Sequence, residues 1–319
     1  DATINGDKTV ITINPTSNLP NSQAVYVALD ATLEDSADNM ITAANTTFTT
    51  MALQSTVATA PSGSGTIGDP YLISNLAELS YISQNMGGTN YWASGIYLKQ
   101  TADIDATTTK YWDDANGNSD GDKYNDPDDI TDTGNNEGFS PIGDSGTNFT
   151  GEYDGAGYSI SGLTIKRTTT GASGKRIGLF GYANGATIRN LGVTNDNITG
   201  NEWVGSLVGF AQSYTTIDNC SVSGSVASTY ITGGLVGYAY NNSIIRNSYS
   251  TASVIDGGSG QTGGLVGLFN RYTMLNSYST GSVTSTSSNR GGLVGRTLAP
   301  MIITDSFYDS TTSGQSDTG

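Results

Sequence analysis

Apolar residues in the C-terminal half of the chain occur in short runs of three to five, each interrupted by Gly, Ser, Thr or Asn. Amphipathic helices need longer segments with an apolar period of 3.6, whereas short Val- and Ile-rich runs bounded by turn residues are typical of strands. Five of the runs follow the pattern of Gly233-Gly234-Leu235-Val236-Gly237. Their central leucines are Leu179, Leu207, Leu235, Leu265 and Leu293.

These leucines lie 28, 28, 30 and 28 residues apart. A second apolar set keeps step with them and consists of Ile188, Ile217, Ile245, Met274 and Ile303. A fixed period of this length indicates stacked units that bury their apolar faces on one another. We predict an all-β fold, a β-helix (β-solenoid) with coils of about 28 residues and three short strands per coil. Each apolar set should form an inward-facing ladder with a spacing of about 4.8 Å.

The same alignment of the repeats predicts three further columns, each made of residues at equivalent positions in successive coils. The first is polar and should form hydrogen bonds between equivalent side chains of stacked coils; it contains Asn190, Asn219, Asn247, Asn276 and Asp305. The second is aromatic, with packing in the core or at an edge favoured over sugar binding; it contains Tyr249, Tyr278 and Phe307. The third holds the single cysteine, Cys220, aligned with Leu191, Ser248, Ser277 and Ser306. We expect this thiol to be buried and inert.

The repeat continues from Gly-Gly-Leu-Val-Gly into Asn-Ser-Tyr-Ser-Thr, which begins at Asn247 and again at Asn276. Together these segments resemble the GLUG motif of bacterial cell-surface and secreted proteins. The similarity extends upstream through Phe139-Ser140-Pro141-Ile142-Gly143 and covers roughly residues 69–319. The resemblance implies an extracellular β-helix. It implies no particular activity, because such repeats occur in adhesins, in large surface proteins and beside protease domains.

The chain divides into three predicted parts. Residues 1–50 hold strand-like runs at 9–13, 24–29 and 46–50, and they resemble the C-terminal half of a bacterial Ig-like module. Too few strands are present to close a sandwich, so we expect their edges to be satisfied by other segments or by another copy of the chain. Residues 51–68 are a predicted linker. Residues 69–319 form the predicted GLUG-type β-helix, with an acidic insertion at 106–138.

One short helix is predicted just before the first coil, as an N-terminal cap of the solenoid. Asn75 is a suitable N-cap residue, and Glu78 three residues later completes a capping-box pattern. An apolar stripe follows, formed by Leu76, Leu79, Ile82 and Met86. A helical partner-binding site is the alternative interpretation.

The acidic residues between 113 and 129 predict a calcium site. Asp and Asn alternate through this segment around Gly117 and Gly121, and Ca²⁺ takes several oxygen ligands from a short flexible loop. The EF-hand pattern requires Gly at position 6 and Glu at position 12, where this segment has Ser119 and Asn125, so a looser calcium loop is predicted. A solvated acidic insertion is the alternative. The predicted oxygen donors are Asp114, Asn116, Asn118, Asp120 and Asp122.

Charge and composition restrict the partners. The net charge is −16 with 13 basic residues, so the basic face that nucleic acids require is not expected. No stretch approaches 18 apolar residues, so we expect no direct membrane insertion in this segment. Divalent cations, a host or environmental glycan, a protein surface or further copies of the chain are the predicted partners. We expect an extracellular or cell-surface bacterial location.

Whether the chain is an enzyme stays open. Histidine is absent, which excludes catalysis by Ser-His-Asp or Cys-His groups. A carboxylate pair or a Lys/Arg base remains, and the only cluster of basic residues comprises Lys166, Arg167, Lys175 and Arg176. The favoured function is a non-catalytic, calcium-stabilised stalk or adhesive segment of a secreted or cell-surface bacterial protein. The alternatives are a glycan-active β-helix enzyme, a polysaccharide lyase or hydrolase, and a structural subunit of an extracellular filament or surface layer.

Overall fold

The computed structural model describes residues 58–112, 137–168, 175–258, 260–298 and 301–316, and four strands nearer the N-terminus. The chain forms two compact units, Asp1–Gln54 and Ser55–Gly319. The predicted calcium donors and residues 169–174 lie outside the described residues.

The first unit contains two antiparallel strand pairs. β1 (Ala2–Ile4) pairs with β2 (Ile11–Ile13), and β3 (Ala24–Leu29) pairs with β4 (Ala44–Thr49). The strands predicted within 9–13, 24–29 and 46–50 are therefore confirmed, although β4 begins earlier than expected and β1 was not foreseen. The Ig-like character of this unit stays a prediction.

The second unit is an all-β parallel solenoid of about seven turns, with a repeat of about 29 residues, which confirms the predicted fold class. Its described residues form three parallel sheets, which we call A, B and C, and the strand counts below refer to these residues. Sheet A has 11 strands. They are β5 (Tyr71–Ile73), β6 (Tyr97–Gln100), β8 (Glu152–Asp154), β12 (Phe180–Asn184), β13 (Thr187–Arg189), β16 (Val208–Gln212), β17 (Thr216–Asp218), β20 (Val236–Arg246), β24 (Val266–Leu275), β28 (Val294–Leu298) and β29 (Ile302–Thr304).

Sheets B and C complete each coil. Sheet B has 10 strands: β7 (Ile104–Asp105), β9 (Ser159–Ser161), β10 (Thr164–Arg167), β14 (Gly192–Gly200), β18 (Ser221–Ser228), β21 (Tyr249–Ser250), β22 (Ser253–Asp256), β25 (Tyr278–Ser279), β26 (Val283–Ser285) and β30 (Phe307–Tyr308). Sheet C has five: β11 (Arg176–Ile177), β15 (Trp203–Val204), β19 (Ile231–Gly233), β23 (Gln261–Gly263) and β27 (Arg290–Gly291).

The Gly-Leu-Val-Gly motif is a corner between sheets C and A. In the central repeat β19 ends at Gly233 and β20 begins at Val236, so the expectation that the whole run forms one strand is wrong. A Cβ atom at Gly233 would lie 2.0 Å from the Val236 carbonyl oxygen and 2.6 Å from the Gly267 amide nitrogen. Backbone approaches too closely there for any side chain. Steric overlap with the neighbouring backbone therefore restricts this corner position to glycine.

The two predicted apolar ladders form the core. The five motif leucines are at most 1% exposed, and Ile188, Ile217, Ile245 and Met274 are fully buried. The parallel register places Ile217 beside Ile188 on one side and Ile245 on the other. Ile303, in the last of these coils, is only partly buried. Both ladders are thus confirmed, with a weaker end at Ile303.

The Asn column forms the corner between sheets A and B. Asn190, Asn219, Asn247, Asn276 and Asp305 all have φ between 47° and 54°, a left-handed conformation that Asn and Asp tolerate better than most residues. Asn219 donates from Nδ2 to Asn190 Oδ1 at 2.9 Å, and Asn276 donates to Asn247 at 3.2 Å. Between these pairs the ladder is interrupted, because Asn247 donates to Asp218 at 2.9 Å. The predicted amide ladder is confirmed in two segments.

Cys220 lies in a buried column beside this corner and is 1% exposed. Its amide donates to Ser248 Oγ at 3.1 Å, and the amide of Ser248 donates to Ser277 Oγ at 3.3 Å. Burial raises the pKa of the Cys220 thiol to about 12. The predicted burial of the cysteine is confirmed, and its raised pKa favours the less reactive thiol over the thiolate at neutral pH.

The predicted helix α1 spans Leu76–Ser83, and Asn75 Oδ1 accepts from the Glu78 amide at 3.0 Å. The Glu78 carboxylate accepts from the Ser74 amide at 2.6 Å, one residue before the N-cap. Strand β5 precedes α1 and pairs with β6, so the helix lies within the first coil and not before it, which corrects the prediction. Among the described residues, the other helical segments are a 3₁₀ turn (Thr107–Tyr111) and α2 (Ser310–Ser313). No helix in the described part of the chain could cross a membrane.

Candidate functional site: a surface notch beside stacked tyrosines

The predicted calcium donors are Asp114, Asn116, Asn118, Asp120 and Asp122, and all five lie outside the described residues. Within the ranges that the structure does describe, no group of three or more Asp, Glu, Cys or His residues could hold a metal ion. The calcium site therefore stays a prediction.

The basic cluster suggested as a source of a lyase base is mostly engaged in structural contacts. Arg167 is 6% exposed, lies 3.3 Å from Glu137 and donates to Ser140 Oγ at 3.1 Å. Lys175 Nζ lies 3.0 Å from Glu202 Oε1. Lys166 is exposed. The structure thus directs two of the four cations to carboxylates rather than to a shared groove.

The fourth cation, Arg176, belongs to an aromatic cluster on the outside of sheets A and C. Its guanidinium carbon lies 4.8 Å from the Trp203 ring centroid and 5.3 Å from that of Tyr182. Phe210 stacks on Tyr238 at 5.1 Å and packs against Trp203 at 4.8 Å. Sequence reasoning missed this cluster. The signal was available, because Tyr182, Phe210 and Tyr238 occupy one register position in successive coils.

The three tryptophans do not share a groove. Trp112 is 1% exposed and Trp92 is 7% exposed, and Trp92 donates from Nε1 to the Ile82 carbonyl at 2.8 Å. Only Trp203 is half-buried at the surface. A glycan site formed jointly by these side chains is excluded.

The predicted aromatic column is a surface feature. The Tyr249 and Tyr278 rings stack with centroids 4.9 Å apart and an interplanar angle of 1°. Tyr249 is 37% exposed, Tyr278 41% and Phe307 68%. Of the two expected kinds of packing, in the core or at an edge, packing in the core is therefore excluded, and the stacking itself is confirmed for Tyr249 and Tyr278. The register alone does not reveal which side of sheet B the rings occupy.

A notch opens next to this column. The register position of Tyr249 is filled by Ser221, Gly192 and Ser159 in the three preceding coils. These small residues leave a cavity of about 270 Å³ that Tyr249 and Tyr158 help to line. Tyr158 is 38% exposed. At about 4.8 Å per coil, the three coils span roughly 14 Å.

Asn, Ser and Thr residues make up much of the remaining lining, together with glycines and the buried Leu191 and Cys220. Asn190, Asn219 and Thr194 belong to this lining, and none of the lining residues is charged. Charged groups border the notch: Arg189 lies 2.6 Å from Glu152 and 3.0 Å from Asp154, and the Asp103 carboxylate accepts from the amide and the hydroxyl of the lining residue Ser159 at 2.8 and 3.0 Å. Partial burial raises the pKa of Asp154, but hydrogen bonds from Asn190, Ala156 and Arg189 outweigh it and hold that pKa below its usual range. The lining of the notch is consequently uncharged, with the Asp103 carboxylate at its edge.

Comparisons with known proteins agree with this architecture. Residues 200–227 and 228–255 match the GLUG motif. Halomucin of Haloquadratum walsbyi is 32% identical over 181 residues, which make up 55% of this chain and 2% of halomucin. An immunoglobulin A1 protease of Streptococcus sanguinis is 30% identical over 173 residues, which are 50% of this chain and 8% of the protease. The chain thus spans a small part of the length of either relative.

Two solved structures that carry the name of an immunoglobulin A1 protease share the fold. One, from Bacteroides ovatus, has a TM-score of 0.52 at 22% identity and covers 75% of this chain and 65% of its own. The other has a TM-score of 0.52 at 20% identity and covers 82% of this chain and 17% of its own. The chain is therefore a β-solenoid with GLUG motifs, related to segments found within much larger proteins.

Proposed function

We propose that this chain is a non-catalytic stalk or adhesive segment of a secreted or cell-surface bacterial protein. The observation that carries the proposal is the continuous parallel ladder of sheet A. It runs from β5 through β6, β8, β13, β17, β20 and β24 to β29 without an antiparallel or missing step. In such a ladder nearly all of the sequence serves to stack one coil on the next.

The side chains that the sequence suggested as reactive groups support a structural role. Cys220 is buried, and Arg167 and Lys175 are paired with carboxylates. No observation on the described residues favours the lyase or hydrolase alternative. The relatives support the description of the chain as a segment of a larger protein, because halomucin and the protease contain a similar segment within far longer chains.

Calcium binding by residues 113–129 belongs to the same proposal. The support is the alternation of Asp and Asn through a Gly-containing segment of the sequence. Bound Ca²⁺ would relieve the repulsion among closely spaced carboxylates and stabilise the folded chain by mass action.

The cellular location of the protein tests this proposal directly. An antibody raised against the solenoid should label intact cells that produce the protein, or detect it in their medium. Brief treatment of intact cells with an external protease should remove the cell-bound signal. A signal that appears only after permeabilisation, and that survives the protease, would refute an extracellular stalk.

A further inference from the structure

We infer that the notch between Tyr158 and Tyr249 binds an uncharged pyranose ring of a glycan. The inference deepens the proposed adhesive role and rests on it. It starts from the stacked pair Tyr249 and Tyr278, whose rings are parallel within 1° at 4.9 Å. A ring held in this way loses little conformational freedom when a ligand packs on it.

The second face of the Tyr249 ring is directed toward the notch. In sheet B, Tyr278 lies on one side of Tyr249 and Ser221 lies on the other. Tyr278 covers one face of the ring, and Ser221 is too small to cover the opposite one. Tyr249 is accordingly 37% exposed and lines the notch. A flat ligand placed over Ser221 would continue the stack by one further layer.

A pyranose ring matches the chemistry of this surface. Its axial C–H groups carry partial positive charge and pack on the electron-rich face of an aromatic ring. Its hydroxyl groups both donate and accept hydrogen bonds, as do the amide and hydroxyl groups of Asn219, Ser221 and Thr194 that line the notch. Asn219 uses Nδ2 to reach Asn190. An anionic ligand would find no cation among the lining residues and would approach the Asp103 carboxylate that Ser159 contacts.

The size of the notch points to a single sugar unit of a longer chain. Its volume of about 270 Å³ lies just below the range of about 300–1,000 Å³ that holds drug-sized ligands. The notch is an open surface feature bounded by Tyr158 at its far end, so neighbouring units of a glycan can extend from it along the solenoid.

Calorimetric titration of the full chain with defined tetrasaccharides tests the inference. The neutral probes are cellotetraose, mannotetraose and chitotetraose, and tetragalacturonate is the charged comparison. At least one neutral probe should bind with a Kd between about 1 μM and 1 mM, and more tightly than tetragalacturonate. No heat from any neutral probe at about 10 mM, or tighter binding of tetragalacturonate, would overturn the inference.

Two variants place the binding in the notch. Ser221→Tyr fills it with the residue that the next two coils carry at this register position, and Tyr249→Ala removes the stacking face. Each should weaken binding at least about tenfold, whereas Phe307→Ala, two coils beyond Tyr249 in the same column, should stay within about twofold of the unchanged chain. Melting curves identify any variant that fails to fold. If Ser221→Tyr does not fold, the affinity of Tyr249→Ala alone decides whether the notch is the binding site. Unchanged affinity in a folded notch variant rejects the site, while surface labelling of the cells independently decides the stalk proposal.

Discussion

Asp196 fills the space that Gly224 leaves beside it in sheet B. The two residues are ladder partners, and a Cβ atom at Gly224 would lie 2.5 Å from Asp196 Oδ1. Asp196 is 3% exposed, and neither carboxyl oxygen makes a hydrogen bond of normal geometry. Burial raises the pKa of Asp196 to about 8, and polar contacts with Ser206 and Ser225 offset only part of that effect. The solenoid therefore holds a largely protonated carboxylic acid in its interior at neutral pH.

This burial makes stability depend on pH. The pKa of Asp196 rises from 3.8 to about 8 on folding, so the folded chain binds an additional proton between these values. The stability that the protonated form provides is fully present below pH 3.8 and is lost as pH rises through about 8. Asp196→Asn keeps the shape without the ionisation. It should flatten this dependence, which amounts to about 1.4 kcal/mol per pH unit.

Urea unfolding at several pH values between about 5 and 9 measures the slope for the unchanged chain and for Asp196→Asn. Asp69→Asn is the matched control, because Asp69 is exposed. If Asp196→Asn retains the same slope as Asp69→Asn, the buried acid is not the source of the pH dependence.

The corner glycines should resist replacement even by alanine. At Gly263 a Cβ atom would lie 2.0 Å from the Val266 carbonyl oxygen and 2.6 Å from the Gly295 amide nitrogen. Both contacts are with backbone, so Gly263→Ala should force a strand shift and lower the free energy of unfolding by about 1–3 kcal/mol or more. At Gly68 nothing lies within 4 Å of the new atom, so Gly68→Ala is the control and should unfold at nearly the unchanged temperature. Equal melting temperatures for both variants would contradict the close-approach explanation.

The leucine ladder should lose stability in proportion to the cavity that a truncation leaves. Leu235 is fully buried, and Leu235→Ala should cost about 2–5 kcal/mol. Ile255 is 42% exposed, and Ile255→Ala should stay within about 0.5 kcal/mol of the unchanged chain. Guanidinium unfolding of both variants provides the comparison. A cost at Leu235 no larger than that at Ile255 would be incompatible with a packed ladder.

Chelation should destabilise the chain if residues 113–129 bind calcium as the sequence predicts. EDTA should lower the melting temperature, and added Ca²⁺ should restore it and release or absorb heat in calorimetry. A triple variant, Asp114→Asn, Asp120→Asn and Asp122→Asn, removes three predicted anionic donors and should melt at the same temperature with and without EDTA. An EDTA effect that persists in this variant would assign any calcium to other residues, and the absence of an effect in the unchanged chain would disprove the site.

The period of the sequence predicted the solenoid because equivalent residues of stacked coils become direct neighbours. The ladders of Leu235 and Ile245, the Asn corner and the burial of Cys220 all follow from alignment of the repeats. The period does not specify where a coil bends or which side of a sheet faces solvent. Only the structure therefore reveals the corner at Gly233, the position of α1 after β5 and the exposure of Tyr249.

The candidate site, too, could be predicted only in part from the sequence. Alignment identifies Tyr249 and Tyr278 as neighbours, and it also places the small residues Ser221 and Gly192 in the column before them. The notch arises only because this column lies on the outside of sheet B and ends near Tyr158. Asp196 is a further case, because a carboxylate in a strand predicts solvent exposure, and only the bulge in β14 turns its side chain inward.

Parallel stacking at a period of 28 residues also has a mechanical consequence. A coil adds only about 4.8 Å to the axis of the solenoid. The same residues, once pulled straight, reach about 95 Å. Under tension, each coil that peels from an end would therefore release roughly twenty times the length it contributed, while the coils behind it keep their ladders. A cell tethered through such a segment would experience a graded extension in place of a sudden rupture.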